Sequence, residues 1–84
     1  MNIVPINDAG KHKTGSIDNY SRAQIIEVLG FEPNVDDDPD KVVSSWGFTA
    51  DGERCGIWDY KGSHYSNSWS WFGLTKILNM LFPE

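Results

Sequence analysis

Lys41-Val42-Val43-Ser44-Ser45-Trp46-Gly47-Phe48-Thr49-Ala50-Asp51-Gly52-Glu53-Arg54-Cys55-Gly56-Ile57-Trp58-Asp59-Tyr60-Lys61 is the stretch whose reading decides the fold. Two runs rich in β-branched and aromatic residues flank Asp51-Gly52, a dipeptide suited to the positive φ angles of a tight hairpin. A third alternating run, Ser68-Trp69-Ser70-Trp71, follows a polar loop over 62–67 and reads as a further strand. The spacing predicts an antiparallel sheet over 41–72 that holds all four tryptophans and the only cysteine.

The hairpin register has two solutions. A two-residue turn at Asp51-Gly52 groups Trp46 and Phe48 with Cys55 and Ile57 on one face. It sets Gly47 beside Gly56 on the other, flanked by Ser45, Trp58 and Tyr60. A pair of glycines lowers the floor of a sheet, leaving a shelf for a flat group or another backbone. A three-residue loop with Gly52 in a left-handed bulge shifts the register and regroups the faces.

Outward from the hairpin, a helix over 21–29 is well marked. Ser21 with Gln24 forms a capping box, Tyr20 and Ile25 a hydrophobic staple, and Gly30 a C-terminal stop with Phe31 folding back on Ile26 in a Schellman arrangement. Its apolar face is Ile25, Ile26, Val28 and Leu29. A second helix spans 74–82, with Leu74, Ile77, Leu78, Leu81 and Phe82 inward and Pro83 ending it. The stretch 1–19 reads as an arm and loop, with Asn2 to Ile6 either an edge strand tolerating Pro5 or an extended arm. The expectation is one α+β domain over 1–84: a three-stranded antiparallel sheet, a possible fourth N-terminal edge strand, and two helices.

Eighty-four residues allow only a modest core. A 39% hydrophobic share is too high for a disordered chain. The net charge of −5 disfavours nucleic-acid and anionic-membrane binding. It leaves acidic mimicry of nucleic acid open, although the acidic residues gather mostly in one loop. A lone cysteine cannot pair within the chain and fits a reducing cytoplasm. The N-terminal segment lacks the basic start and apolar run of a signal peptide, and no apolar stretch reaches membrane-spanning length.

Catalytic sets are hard to assemble from this sequence. His12 and His64 lie far apart, without zinc-ligand spacing. Asn34, Asp36 and Asp38 have the alternate spacing of a calcium loop, but Pro39 and Ser45 stand where that loop needs Gly and Glu. Asp59 reads either as a buried acid–base carboxylate or, followed by Lys61, as a partly exposed strand residue with a local partner. The loop from Asp8 to Asn19 is solvated, or it closes on an anion through Lys11, Lys13 and the Thr14-Gly15-Ser16 amides. Neither a cofactor nor a metal is expected, and the chain is expected not to be an enzyme.

Binding fits better, because Trp and Tyr dominate interface hot spots. Trp46 and one of Trp69 and Trp71 are assigned to the core. Four tryptophans with four phenylalanines exceed what so small a sheet can bury, so some of Trp58, Tyr60, Tyr65 and Trp69 are expected to be available to a partner, a ligand or a second subunit. The candidate binding residues are Trp58, Tyr60, Lys61, Arg54, Tyr65 and Trp69.

The pattern resembles small proteins of tailed bacteriophages. It is carried by Gly15-Ser16-Ile17, Tyr20 and the helix to Leu29-Gly30, Asp40-Lys41-Val42, Trp46-Gly47-Phe48, Asp51-Gly52, Ile57-Trp58-Asp59-Tyr60-Lys61, Trp71 and Gly73, covering about residues 14–82. The resemblance implies a context: a non-enzymatic inhibitor of a host protein, such as one of anti-phage defence, in the host cytoplasm. The alternative it leaves is an oligomeric sponge for a nucleotide-like signalling molecule, held on Trp58 or Tyr60 with Lys11, Lys13, Arg54 or Lys61 on its phosphates.

Overall fold

A computed structural model describes residues 1–8, 12–35, 42–60 and 68–83. The chain is α+β, as expected, but its sheet has five strands: β1 (Ile3–Pro5), β2 (Gly15–Ile17), β3 (Val42–Ala50), β4 (Glu53–Tyr60) and β5 (Trp69–Phe72). All pairings are antiparallel and the order is β1-β3-β4-β5-β2. Helices α1 (Arg22–Leu29) and α2 (Thr75–Leu81) send Ile25, Leu29 and Ile77 into one core cluster with the inner face of the sheet.

The hairpin takes the two-residue turn. Asp51 and Gly52 have φ of 50° and 86°, the paired positive values of a type I′ turn. Ala50 therefore opposes Glu53 and Gly47 opposes Gly56. Asp51 is further fixed by β1, its N–H donating to the Asn2 carbonyl and its carboxylate accepting the Asn2 N–H. Pro5 sits opposite Phe48 in the edge strand, where its missing N–H costs nothing.

Between Val42 and Ser45 the β3–β4 register slips by one, leaving Val43 and Ser44 opposite Asp59. The Asp59 carboxylate, buried on the inner face, accepts the Ser44 N–H at 2.7 Å. Asp59 thus has the local partner of one reading and the burial of the other, and it supplies a bond to the bulge.

Two expected boundaries are corrected. Gly15–Ile17 is a strand, not part of an N-terminal loop: it pairs with Trp69–Trp71, and the Thr14 N–H donates to the Trp71 carbonyl. These main-chain groups serve the sheet rather than an anion. At the other end, Leu74 is the N-cap of α2 and is 50% exposed instead of facing inward.

Helix α1 begins as its sequence requires, with Ser21 and Gln24 making the reciprocal capping box. At its end Gly30 (φ 89°) donates its N–H to the Ile26 carbonyl, the single bond of an αL stop in place of the expected Schellman arrangement. Its docking is set by two indoles. Trp69 Nε1 donates to the Tyr20 carbonyl (2.8 Å) and Trp46 Nε1 to the Phe31 carbonyl (3.0 Å), one on each side of the helix. The two rings meet edge to face at 5.3 Å. Trp71 lies between Phe48 and Phe82, with its Nε1 buried and unbonded among the described residues.

This contrast separates two substitutions of one chemistry. Trp69→Phe strands the Tyr20 carbonyl and is expected to cost roughly 1–3 kcal/mol beyond the lost ring volume. Trp71→Phe removes a donor that already lacks a partner and should cost distinctly less. Urea unfolding of the two variants measures the difference, and equal losses would contradict the role given to the Trp69 bond.

Candidate functional site

The outer face of the sheet carries the residues that the hairpin parity turns away from the core: Ser45, Gly47 and Thr49 on β3, Arg54, Gly56 and Trp58 on β4, and Ser70 and Phe72 on β5. The shelf at Gly47 is filled by the chain's own backbone. A Cβ on Gly47 would lie 2.6 Å from the Ile6 carbonyl oxygen and closer still to that of Asp8. The Ile6 N–H donates to the Gly47 carbonyl at 2.9 Å. Asn34 completes the seat: its Oδ1 accepts the Gly47 N–H, and its Nδ2 donates to the Gly47 and Ile6 carbonyls. A side-chain amide thus stands in for a peptide group where β1 leaves the ladder.

This segment joins opposite edges of the sheet, so it has to cross it. Asp8 forms an ion pair with Arg54 on the same face. His12 then packs edge-on against Phe72, with ring centroids 5.3 Å apart. Thr14 ends the crossing by accepting the Gly73 N–H and donating to the Gly73 carbonyl.

Beside Arg54 opens a cleft of about 480 Å³, lined by Thr14, Glu53, Arg54, Phe72, Gly73 and Leu74. It combines a half-buried aromatic ring, an exposed leucine, a guanidinium and a carboxylate. A smaller hollow of about 320 Å³ adjoins it, sharing Glu53 and Leu74. Phe72 and Leu74 were not singled out in the sequence. Both stand where a strand ends and a helix begins, and periodicity alone assigns such apolar residues to the core.

Of the candidate binding residues, Arg54 alone is both described and open. Trp69 is 5% exposed and belongs to the core cluster; Trp58, 6% exposed, is buried on the outer face between Ser45 and Ser70. The expectation that tryptophans are left over for a partner is therefore corrected for the chain by itself. Five strands and two helices bury more area than the three strands expected. Tyr60 ends β4, and Lys61 and Tyr65 lie outside the described residues, as do Lys11, His64 and the acidic stretch 36–40. Arg54 and Tyr60 are six residues apart on one strand, roughly 20 Å, too far for one small ligand to bridge. Among the described residues no group of three or more metal-ligating side chains occurs, and no helix is long and apolar enough to cross a membrane. Comparison with protein-family models, with curated proteins and with solved structures finds no match to this chain.

Cys55 is fully buried on the inner face, and its thiol is pushed up to about 11 by desolvation, with a further contribution from Glu53. The thiolate is the nucleophile, so a protonated buried thiol is inert.

Two predictions follow from this geometry. Gly47→Ala forces a methyl into the backbone of residues 6–8, which has no flexible tip to yield, and should destabilise the fold by about 1–3 kcal/mol in thermal or urea melts. Cys55 predicts a pH dependence. Below pH 9, the ordinary value for a free thiol, both folded and unfolded chains keep the proton. Between 9 and about 11 only the unfolded chain releases it, so stability falls across that window, by up to roughly 3 kcal/mol. Cys55→Ala should flatten that part of the stability–pH curve.

Proposed function

We propose that this chain is a non-enzymatic binding protein that acts by contact with a host protein. The resemblance to small tailed-phage proteins supplies the context: an inhibitor of a host defence protein, working in the host cytoplasm. The observation that carries the reading is the open cleft where Phe72 and Leu74 adjoin the Arg54 guanidinium. Arginine beside aromatic and aliphatic surface is the usual composition of an interface hot spot. Asp8 holds the guanidinium in place beforehand, which lowers the entropy lost when a partner engages it. The buried tryptophans do not contribute to this reading.

A second reading is favoured by the same juxtaposition. A small anionic ligand with a flat ring could lie against Phe72 with its charge on Arg54, as a nucleotide-sequestering protein would need. The two readings separate cleanly. A host-protein partner is captured by the purified chain and lost in Phe72→Ala and Arg54→Glu variants, each by roughly tenfold or more in affinity. A ligand would instead raise the melting temperature of the wild-type protein in a panel of cyclic nucleotides, and would be retained in native mass spectrometry. A Phe72→Ala protein that melts like wild type and still inhibits in full would count decisively against the cleft.

A further inference from the structure

The hollow adjoining the cleft has a composition that a core role does not explain. Four large hydrophobic side chains are exposed among the described residues: Met1, Val4, Leu74 and Met80. Three of them, Met1, Leu74 and Met80, line this one hollow of about 320 Å³, at 50%, 50% and 59% exposure. Scattered apolar residues need no explanation, but a gathered set marks an interaction surface.

Leu74 carries a second signal. It occupies the N-cap of α2 and makes no side-chain capping bond. Ser, Thr, Asp or Asn there would satisfy an amide of the first turn. A leucine there, half in solvent, makes no such bond and leaves apolar surface exposed.

The charges identify the occupant. The hollow is edged by Lys76 on α2 and by Asp51 and Glu53 at the hairpin tip. Asp51 is engaged with the Asn2 amide, whereas neither Lys76 nor Glu53 is ion-paired within the described chain. Two copies of net charge −5 repel at long range, so what brings them together has to be a local pairing of opposite charges. A second copy turned about a twofold axis presents its own Glu53 to Lys76 and its own Lys76 to Glu53, because an isologous contact pairs each residue with its counterpart's partner.

We propose that this hollow is a self-association surface, in which two copies meet with Leu74 and Met80 at the centre and Lys76–Glu53 pairs on both sides. A domain of this size buries a modest share of its surface, and a dimer adds apolar burial that the monomer lacks. The dimer also sets partner residues beside the Arg54 cleft, since Glu53 and Leu74 line both. This inference stands independently of what that cleft binds.

The test is sedimentation velocity on the full chain over a broad concentration series. Wild type is expected to show a reversible monomer–dimer equilibrium. Leu74→Asp and Met80→Asp should each give monomer; Leu74→Asp introduces a favoured capping residue, so its melting temperature should be kept or raised and loss of the dimer is not loss of the fold. Lys76→Glu and Glu53→Lys should each weaken the dimer roughly tenfold or more, through two like-charge contacts per twofold, and the double reversal K76E/E53K should restore it. A wild-type protein monomeric at every concentration overturns the proposal. So does a dimer indifferent to Leu74→Asp, or one that the double reversal fails to rescue.

Discussion

The structure depends on the parity set by two residues. With both Asp51 and Gly52 at positive φ, the hairpin closes on two residues, and every side chain of β3 and β4 is thereby assigned to a face. Trp46, Phe48, Cys55 and Ile57 turn to the helices, while Gly47 turns outward. A slip of one residue would expose two of the largest core side chains and close the glycine floor. The crossing segment could then not lie where Asp8 and Ile6 now sit. Outer-face geometry is thus a consequence of a turn at its far end.

Within the core, the tryptophans act as fasteners as well as filler. Trp46 and Trp69 contact each other and each donates to a carbonyl flanking α1, so the helix is held at both ends by side chains of adjoining sheet regions. An eight-residue helix has little stability by itself. Two directed bonds to rigid rings fix its position where generic apolar contact would let it slide. This is why a high aromatic content coexists with nearly complete burial: the indole N–H is a positioning group, and its use demands that the ring be inside.

How much of this was legible in the sequence follows from how local each signal is. The capping box, the glycine stop and the Asp51-Gly52 turn are written in neighbouring residues, and they hold as read. Strand β2 is not of that kind. Gly15-Ser16-Ile17 has no strand signature of its own and is extended because β5 pairs with it; Thr14, one residue before, bonds main chain 57 residues away. The extra strands in turn enlarge the face that tryptophans can share, so Trp58 and Trp69, expected among the available aromatics, are buried for the same reason. At the site, Arg54 was recognisable as an exposed cation on a strand. Phe72, His12 and Asp8 came together only through the topology.

That topology also explains where a binding surface can be. β1 and β2 follow each other in sequence yet lie on opposite edges, so residues 6–14 must pass over three strands. Four strand spacings amount to roughly 19 Å, and nine extended residues reach about 30 Å, so the connection can cross directly over one face. Its described residues lie on the outer face, Ile6 and Asp8 against Gly47 and His12 against Phe72, with Asn34 and Arg54 holding the first part. A shelf that looked available for a ligand is therefore used for chain connectivity. The helices cover the inner face, and among the described residues Arg54, Phe72, Leu74 and Met80 emerge at the hairpin end around two adjoining hollows, clear of the helices' packed faces.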